Sequence, residues 1–496
     1  MLKRIIDAVK GGLYRMGLIK GIDKIQNHKN ININQNMYNK MSVWQALYKG
    51  YYPDWHDIYE HTISGKKYRK KDTLMMAKTA AAEMASLVFN EKCNISIGDG
   101  ENKTAKFVGE VLKQNKFNKK FQDHLEYNFA LGGMVIKPFV KEGKIMLSFV
   151  TADSFIPTAW HNDAITEGVF IGEYHKGDKK YTHLEWHTWD KKADQYVVDH
   201  ELYESNGTEL GVRVSLEIIF PDMKEQYRFN NLKKPLFTYF KPNTANNIDL
   251  QSPMGISIFA NALDTLKAID TAFDSFHREF RLGKKRIIVP AHMVKTVVDP
   301  KTQEIHRYFD DTDETYEAMK FKDDEEGIKD INVTLRVDEH IAGINALLNL
   351  YATQTGFSLG TFSFDGQSVK TATEVMSENS KTFKSKKSHE TIIEGGLQDV
   401  VESIIAIAKV YNIFNGEQNI DITVTFDDSV IEDNAAELAR TIQEVSNKLL
   451  PRKRAIMRIY GLNEEEAQAW MDEINEENQS TNASDVDFFG TGSDDD

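Results

Sequence analysis

The region from Ser252 to about Phe414 constrains the fold more than any other part of this chain. Its residue pattern predicts, in chain order, a helix, a β-rich insert, a second helix, a glycine-rich loop and a third long helix. Ser252-Pro253 places an N-cap residue before a proline, which predicts that the first helix starts there. Its apolar residues recur every three or four positions, a spacing typical of helices that pack on other helices. They are Phe259, Leu263, Leu266, Ile269, Phe273, Phe276 and Phe280.

The second helix has its own apolar stripe, made of Ile341, Ile344, Leu348 and Tyr351. The first helix, if it holds about thirty residues, spans about 45 Å, which is long for a globular protein. We expect the two helices to lie side by side, with a compact insert joining them at one end and a loop at the other. This arrangement predicts a wall element of a larger assembly.

Length and composition limit the class of protein. A chain of 496 residues should hold more than one core. It contains no run of eighteen apolar residues, so no membrane span is expected. The N-terminus, 1–7, favours a short amphipathic helix over a signal peptide. The single cysteine, Cys93, excludes an internal disulfide and fits a reducing cytoplasm; its alternating neighbours predict a buried strand residue, not a reactive thiol.

The net charge of −14 argues against a protein that wraps nucleic acid tightly. Phosphate contacts and counterion release supply most of the affinity in such proteins, and these need a basic surface. An acidic protein can still confine DNA without holding it.

The hydrophobic period changes along the chain and predicts an α+β fold. Helices are predicted at about 72–90, with Asp72 as the cap, and at 104–115 and 118–130. From Gly132 the period becomes two, which predicts an antiparallel meander and not a parallel nucleotide-binding sheet. The basic segment 61–71 is predicted to be a turn. Further strands are expected at 93–97, 286–290, 304–309, 316–321, 331–337 and 420–426, and a helical region at about 434–475.

Several local patterns resemble enzyme sites without meeting their requirements. Gly98 to Thr104 ends in Lys-Thr, but its spacing fails the phosphate-loop pattern, so we expect a turn and a helix capped near Asn102. His183, Glu185 and His187 would share one strand face, and no further ligand is evident. We interpret them as a solvated face, not a metal site.

Three acidic segments could also suggest metal-binding sites. The runs at 310–314 and 323–326 could chelate Mg²⁺, but such runs are usually solvated loops. The tail at 485–490 matches a calcium loop only in part, since Phe489 occupies the fifth position. We therefore predict no catalytic residue, no metal and no cofactor.

The glycine-rich loop and the third helix complete the pattern. Gly356, Gly360 and Gly366 are expected to give the loop hinge freedom. Thr371 and Glu374 have the spacing of a capping box at the start of the third helix. Gly395-Gly396 is expected to break or kink that helix before its apolar second half.

The order helix, insert, helix, loop, Lys370-Thr371-Ala372-Thr373-Glu374-Val375 and long kinked helix resembles the bacteriophage portal proteins of siphovirus type. The resemblance extends to the Ala- and Met-rich helix and strand at 76–97, to Gly132-Gly133 with the strands after it, and to Asp153–Pro157. It also includes Phe426–Ser429 and the stretch from Leu450 to Glu466, and covers roughly 40–475. Pro451-Arg452 stands where relatives often have a serine-lysine helix start.

The resemblance implies a portal fold assembled as a ring of about twelve subunits, with a β-rich wing, long stem helices, a small α/β clip, a tunnel loop and a helical crown. The implied parts are a wing at 1–251, stem helix 1 at 252–284, a clip at 285–338, stem helix 2 at 339–357, a tunnel loop at 358–369, a long kinked helix with wing completion at 370–432, a crown at 433–477 and an acidic disordered tail at 478–496.

The resemblance also implies which residues act. The DNA-facing tunnel loop would comprise Gly360, Thr361, Phe362, Ser363, Phe364, Asp365, Gly366, Gln367, Ser368 and Lys370. Phe362 and Phe364 could pack between neighbouring loops. Candidate phosphate contacts at the stem–clip junction are Arg278, Arg281, Lys284, Lys285 and Arg286, which could instead pair with acids of the next subunit. Subunit packing would use Phe259, Leu263, Leu266, Phe273, Phe276 and Phe280.

The implied function is the channel at one capsid vertex through which double-stranded DNA is packaged and ejected. The implied partners are further copies of the chain, the terminase large subunit, a head–tail connector, and the major capsid and scaffolding proteins, with assembly in the host bacterial cytoplasm and no membrane partner. Two alternatives stay open: a metal-dependent DNA-processing enzyme, and a ring-forming collar or connector without a DNA channel.

Overall fold

The computed structural model describes residue 31 and residues 35–62, 65–98, 102–206, 209–283, 286–288, 295–298, 303, 305–308, 329–331, 334–364, 372–416, 421–427, 434–460 and 462–484. Helices and sheets are both abundant, which confirms the α+β class. The helices are α1 Gln35–Tyr48, α2 Pro53–His56, α3 Met76–Val88, α4 Lys103–Gln114, α5 Phe117–Leu131, α6 Leu263–Leu282, α7 Val337–Gln354, α8 Ala372–Val410, α9 Asn434–Ser446, α10 Arg452–Tyr460 and α11 Glu464–Ser484.

The strands form six separate sheets in the described part of the chain. They are β1 Asp57–Thr62, β2 Gly65–Lys70, β3 Asn94–Ile97, β4 Met134–Lys141, β5 Lys144–Thr151, β6 Phe155–His161, β7 Ala164–Lys176, β8 Lys179–Asp190, β9 Gln195–Asn206, β10 Glu209–Val214, β11 Gln226–Asn230, β12 Thr238–Phe240, β13 Arg286–Ile288, β14 Lys295–Val298, β15 Ile305–Tyr308, β16 Lys329–Ile331 and β17 Ile422–Thr425.

The largest sheet is the predicted antiparallel meander. Its order is β10-β9-β8-β7-β6, and β11 adds to β9. Strands β4 and β5, which precede the large sheet in the chain, and β12, which follows it, form a smaller sheet in the order β12-β4-β5. The β4–β5 turn has Glu142 and Gly143 at φ 52° and 71°, the left-handed pair that a tight hairpin requires. Alternating sequence and turn chemistry therefore predicted antiparallel strands from Gly132 onward, but not their division into two sheets, nor strands β6, β10, β11 and β12.

The main core lies where α1, α3 and α5 meet the second half of α8 and the β4 sheet. Its largest fully buried side chains include Trp44, Phe121 and Phe240. Contrary to the prediction of a break, α8 is continuous through Gly395-Gly396. A Cβ on Gly396 would lie 2.4 Å from Cε1 of Phe240, so this glycine lets the helix approach β12 closely.

The first long helix does not start at Ser252. It begins at Leu263, after a 3₁₀ turn at Ala260–Ala262, and holds 20 residues, about 30 Å. The preceding segment pairs with the end of α5 instead: the Ile258 amide donates to the Phe129 carbonyl at 3.1 Å. A Cβ on Gly255 would lie 2.4 Å from the Gly132 oxygen. These close contacts hold the segment in an irregular conformation that leaves no room for a helix.

Two predictions near the start of α3 were also wrong. The basic segment 61–71 is not a turn throughout, since it contains the whole of strand β2, which pairs with β1 in an antiparallel hairpin. Asp72 does not cap a helix: α3 begins at Met76, and Asp72 lies 2.9 Å from Nδ1 of His277. Cys93 is buried as predicted, and burial raises the pKa of its thiol. The predicted strands at 93–97 and 420–426 pair as β3 and β17.

The described residues of the insert between α6 and α7 form two short antiparallel pairs, β13–β16 and β14–β15. Strand β14 had no counterpart among the predicted strands, and 334–336 connect to α7 without forming a strand. The predicted strand at 316–321 and the acidic runs at 310–314 and 323–326 lie outside the described residues, as do residues 1–7 and the calcium-like tail.

The C-terminal region is helical as predicted, but α11 continues to Ser484, past the point where disorder was expected to begin. Among the described residues, none of the helices combines the length and apolarity that crossing a membrane requires.

Candidate functional site

Helices α6 and α7 form an antiparallel pair that brings the two ends of the insert together. Arg336, just before α7, donates to both carboxylate oxygens of Glu279 near the end of α6, at 3.0 and 2.8 Å. This hydrogen bonding lowers the pKa of Glu279 to about 2. The ring of Phe276 lies 5.7 Å from that of His340. The pair is therefore closed at the insert by a charged clasp and an aromatic contact.

The apolar stripe of α6 divides into a covered part and an uncovered part. Phe259 and Leu266 are 0% and 4% exposed within one chain, so they are core residues and not available to a second subunit, contrary to the prediction. Leu263, Phe273 and Phe276 are half-buried, and Phe280 is 45% exposed. The end of the helix nearest the insert thus keeps apolar surface uncovered.

Two buried aspartates of α6, one turn apart, fasten the β1–β2 hairpin and the residues that flank it. Asp274 accepts a bidentate pair from Arg69, at 2.6 and 2.8 Å. Asp270 accepts from the Thr73 hydroxyl at 2.7 Å and faces Nε2 of His56 at 3.2 Å. No pattern in the sequence predicted this anchor. The available clue was that Asp270 and Asp274 are spaced i, i+4 and each directly follows an apolar residue of the stripe, Ile269 or Phe273.

Of the cations predicted to contact phosphate near the end of α6, one already has an acidic partner in its own chain. Arg278 donates to Glu60 of the same chain at 2.8 Å. The pKa of Glu60 is lowered, chiefly by its hydrogen bond from Arg69 and further by Arg278 and Arg281. Arg278 therefore finds its acid within its own chain. Arg281 is exposed. Lys284 and Lys285 lie outside the described residues, and only the backbone of Arg286, in β13, is described.

The start of the predicted loop is pinned to α7 and α8. The Gly360 amide donates to Asn349 Oδ1 at 2.7 Å, and the Phe364 amide donates to Asn345 Oδ1 at 2.9 Å. The Ser358 amide donates to Thr382 Oγ1 at 2.8 Å. Gly360 has φ 81°, and Gly356 at the end of α7 has φ 90°, so these glycines are needed for a left-handed backbone.

The loop exposes some of the predicted residues and partly covers others. Leu359 and Phe364 are 66% and 55% exposed, and Gly360 and Thr361 are also exposed. Phe362 packs inward on Phe357, with ring centroids 5.0 Å apart, so it already has a partner within the chain. Ser363 is half-buried. Asp365, Gly366, Gln367, Ser368 and Lys370 lie outside the described residues.

The alternating histidines of β8 are buried, so the prediction of a solvated face was wrong. His183 and His187 are 5% and 3% exposed. His200, on β9 opposite Glu185, adds a third imidazole that sequence spacing did not reveal. Its Nδ1 lies 3.1 Å from His183 Nε2. Burial lowers the pKa of His183 to about 4.

Glu185 is stabilised by a series of hydrogen bonds through Tyr196 and His187 and by an ion pair with Lys137. The Leu236 amide donates to the Tyr196 hydroxyl, which in turn donates to His187 Nδ1 at 2.7 Å. His187 Nε2 then donates to Glu185 at 2.8 Å, and Lys137 forms an ion pair with the other carboxylate oxygen. Burial alone would raise the pKa of Glu185, but Lys137 and His187 hold it well below its usual range.

These contacts decide what the cluster can do chemically. Donor atoms of His183, Glu185 and His200 lie within 4.8 Å of one another, which is the arrangement a metal ion would need. The Lys137 ammonium already neutralises the only carboxylate, and a dication beside it would leave buried positive charge uncompensated. The structure therefore supports a satisfied hydrogen-bond network here and not a metal centre.

The phosphate-loop-like segment is a helix cap, as predicted. The Ala105 amide donates to Asn102 Oδ1 at 2.6 Å, which makes Asn102 the N-cap of α4.

Comparison with known proteins gives a family. The family model described as "Phage portal protein, SPP1 Gp6-like" matches residues 27–480. No curated protein matches the chain. Among solved structures, a chain of the "Neck of empty GTA particle computed with C6 symmetry" is similar at TM-score 0.37 and 12% identity, over 78% of this chain and 88% of that chain. A chain of the "Virion of native gene transfer agent (GTA) particle" is similar at TM-score 0.38 and 11% identity, over 78% and 89%. Similarity at this level says nothing further about this chain's architecture.

Proposed function

This chain belongs to the SPP1 Gp6-like family of phage portal proteins, and we propose that it forms the ring-shaped channel at one capsid vertex through which double-stranded DNA is packaged and ejected. The observation that carries the proposal is the family match, which spans 27–480 and so includes the whole helix–insert–helix–loop–helix region. Portal proteins are structural, so the chain would have no chemistry of its own and would depend on a separate motor.

The antiparallel pair α6–α7 would be the stem, with the insert at one end and the loop at the other. We propose that the insert docks the terminase large subunit during packaging and a head–tail connector afterwards. The β-rich wing would meet the major capsid and scaffolding proteins. The clasp between Glu279 and Arg336 supports a rigid stem–insert junction, which a docking face under mechanical load requires.

The acidic net charge of the chain supports a channel that does not bind DNA tightly. About twelve copies at −14 each give a ring near −170, which repels phosphates and lets the duplex slide. The pairing of Arg278 with Glu60 supports the same view, since it removes one of the few clustered cations from contact with phosphate.

The loop after α7 is proposed as the part that meets DNA. Its pinned start would hold Leu359 and Phe364 outward at a fixed distance from the stem. Apolar and hydroxyl side chains there would touch the duplex weakly and without sequence preference.

One experiment tests the function directly. Purified protein should give rings in negative stain with a lumen wider than the duplex, about 20 Å across. A species that stays at 56.7 kDa under all assembly conditions would contradict the proposal. Rings with a narrower lumen would favour a collar protein. Mg²⁺-dependent cleavage of DNA by the purified protein would favour the DNA-processing alternative.

A second experiment tests the loop. Deleting Gly360–Gly366 should leave rings intact and impair packaging. The finer variant Leu359→Ser with Phe364→Ser should lower packaging while rings form normally. The matched control is Val212→Ser with Leu250→Ser, since those side chains are 72% and 88% exposed and lie far from the loop in sequence. Loss of rings in the loop variants would show that the loop is an assembly element instead.

A further inference from the structure

The β1–β2 hairpin turns one face toward the rest of the chain and the other toward solvent. Side chains alternate between the two faces of a strand. Arg69 of β2 donates to Asp274 of α6 at 2.6 and 2.8 Å, and Glu60 of β1 accepts from Arg278 of α6 at 2.8 Å. The face that carries Glu60 and Arg69 therefore lies on α6, and the opposite face, here called the outward face, points away from it.

The outward face carries two exposed aromatic rings. Tyr59 and Tyr68 are direct cross-strand partners in the register of the hairpin. Their ring centroids lie 5.7 Å apart, and the two residues are 61% and 51% exposed. A single exposed ring is ordinary on a protein surface, but two in contact form an aromatic patch, which indicates a binding site.

One of the two rings is held in place by its hydroxyl group. The Tyr68 hydroxyl donates to Asp57 Oδ1 at 2.9 Å, and the Tyr51 hydroxyl donates to the same oxygen at 2.7 Å. Asp57 is the cross-strand partner of Lys70, two residues from Tyr68 along β2. The Tyr68 ring therefore leans along the hairpin instead of projecting from it. A ring fixed in this way loses little freedom when a planar group stacks on it.

Lysines flank the aromatic patch on the same face. Lys66 and Lys70 lie two residues to either side of Tyr68, and both are exposed. Neither forms an ion pair among the residues that the structure describes, and the Lys70 ammonium lies 4.9 Å from the centroid of the Tyr51 ring. Asp57 is the acid on this face whose partners are described, and two tyrosine hydroxyls already bind it. The outward face is thus locally positive in a chain of net charge −14.

This combination of groups selects one class of ligand. Single-stranded nucleic acid offers phosphates to cations and unstacked bases to aromatic rings, and proteins that bind it use both. Lys66 and Lys70 are about 13 Å apart along the strand, with Tyr68 midway between them. A nucleic-acid backbone can therefore follow β2 while its bases reach the two rings. A duplex offers the phosphates alone, because its bases are stacked on one another.

We propose that the outward face of the β1–β2 hairpin binds single-stranded nucleic acid without sequence preference. Bases stack on Tyr59 and Tyr68, and Lys66 and Lys70 contact the phosphates. The buried pair of Arg69 and Asp274 holds this surface in place on α6. The activity goes beyond the proposed channel, since a duplex passing through a channel has no unstacked bases to offer.

Fluorescence anisotropy with the full chain tests the proposal. The probes are an end-labelled oligothymidine about 12 nucleotides long, the oligouridine of the same length and a duplex of that length, at about 50 mM salt. At least one single strand should bind at least tenfold more tightly than the duplex, and the tighter of the two identifies DNA or RNA as the source. Binding of the duplex as tight as that of both single strands would refute stacking on the tyrosines.

Substitutions on the outward face separate the two kinds of contact. Tyr59→Ala and Tyr68→Ala should each raise the Kd about tenfold, whereas Tyr68→Phe, which keeps the ring, should stay within about twofold of wild type. Lys66→Gln with Lys70→Gln should raise the Kd and reduce the slope of log Kd against log salt by about 1.4, since each phosphate contact on a single strand contributes about 0.7.

Two control variants match these changes elsewhere on the surface. Trp160→Ala removes a 44% exposed ring on β6, and Lys191→Gln with Lys192→Gln removes two exposed lysines in the β8–β9 turn. Both should bind the oligonucleotides like wild type. The far-ultraviolet circular dichroism of the hairpin variants should not change, because the substituted side chains are already exposed in the folded chain.

The outcomes separate this inference from the proposed channel. No binding of either single strand by the wild-type protein, or hairpin variants that bind like wild type, would overturn the inference and leave the channel proposal untouched. Hairpin variants that lose ring formation but still bind oligonucleotide would show that the outward face is a subunit contact instead. Oligonucleotide binding by a protein that forms no rings would support the inference while the channel proposal fails.

Discussion

Two adjacent glycines in α8 provide a sharp test of the packing described above. Gly395 is exposed, and a Cβ built on it meets nothing within 4 Å. A Cβ on Gly396 would lie 2.4, 2.8 and 3.0 Å from atoms of the Phe240 ring. That ring is 1% exposed and sits edge-on to Phe121 at 5.6 Å, so it has no space into which to move. The two glycines should therefore respond oppositely to the same substitution.

The expected sizes follow from two terms. Alanine in a helix interior is favoured over glycine by about 0.5–1 kcal/mol, and both substitutions gain this amount. Forcing a methyl group into the packed contact with Phe240 costs about 1–3 kcal/mol. Gly395→Ala should therefore stabilise α8 slightly, and Gly396→Ala should be less stable than Gly395→Ala by about 1–3 kcal/mol, the steric term alone.

Amide hydrogen exchange measures this difference locally, which matters because a chain with several cores need not unfold in one step. Protection of the amides from Ile393 to Val400 should be roughly tenfold to a hundredfold lower in Gly396→Ala than in Gly395→Ala. Phe240→Leu, which removes the ring edge, should reduce that gap. Equal protection in the two alanine variants would refute the close contact, and a loss in both would mean that the pair breaks the helix as the sequence alone suggested.

Three further predictions concern the stem and the wing. Asp274→Ala should leave the Arg69 guanidinium without its bidentate partner and destabilise the β1–β2 hairpin by about 2–4 kcal/mol, seen as faster exchange in 65–70; unchanged exchange would argue against the anchor. Phe280→Asp, at a side chain that is 45% exposed within one chain, should prevent ring formation in mass photometry while circular dichroism stays native, and normal rings would show that this end of α6 is not a subunit contact. Burial lowers the pKa of His389 to about 4, whereas an unfolded histidine titrates near 6.5. Between these two pH values the unfolded state binds more protons than the folded state. The free energy of unfolding should therefore fall as the pH drops from about 6.5 to 4, by at most about 3 kcal/mol. His389→Gln should flatten that slope in denaturation curves taken across the range, and an unchanged slope would assign the loss to other groups.

Strand and helix types were predictable wherever a local period dominated. The meander from Met134 onward follows from alternation and turn residues, and α4 follows from the Asn102 cap. In the described start of the loop Gly360, Thr361 and Phe364 are exposed, and their contact with DNA stays a prediction.

Predictions failed where a distant partner outweighed the local preference. Ser252-Pro253 has the residues of a helix start, but the backbone of the following segment pairs with Phe129 and Gly132. The alternating residues His183, Glu185 and His187 of β8 look like a solvated face in the sequence, but in the fold His200 lies against His183 and Lys137 pairs with Glu185. The segment 61–71 appears to be a basic turn because its anchor, Asp274, lies some two hundred residues later.

The sequence by itself determined the order of the elements, the α+β class and the resemblance that the family match confirmed. All three depend on local periodicity and on motif order, which are properties of neighbouring residues. The tertiary structure decided which half of the α6 stripe is core, that α8 passes Gly396 unbroken, and how the loop is held to Asn345 and Asn349. Each of these depends on atoms far apart in the chain, and only the folded backbone brings them within contact distance.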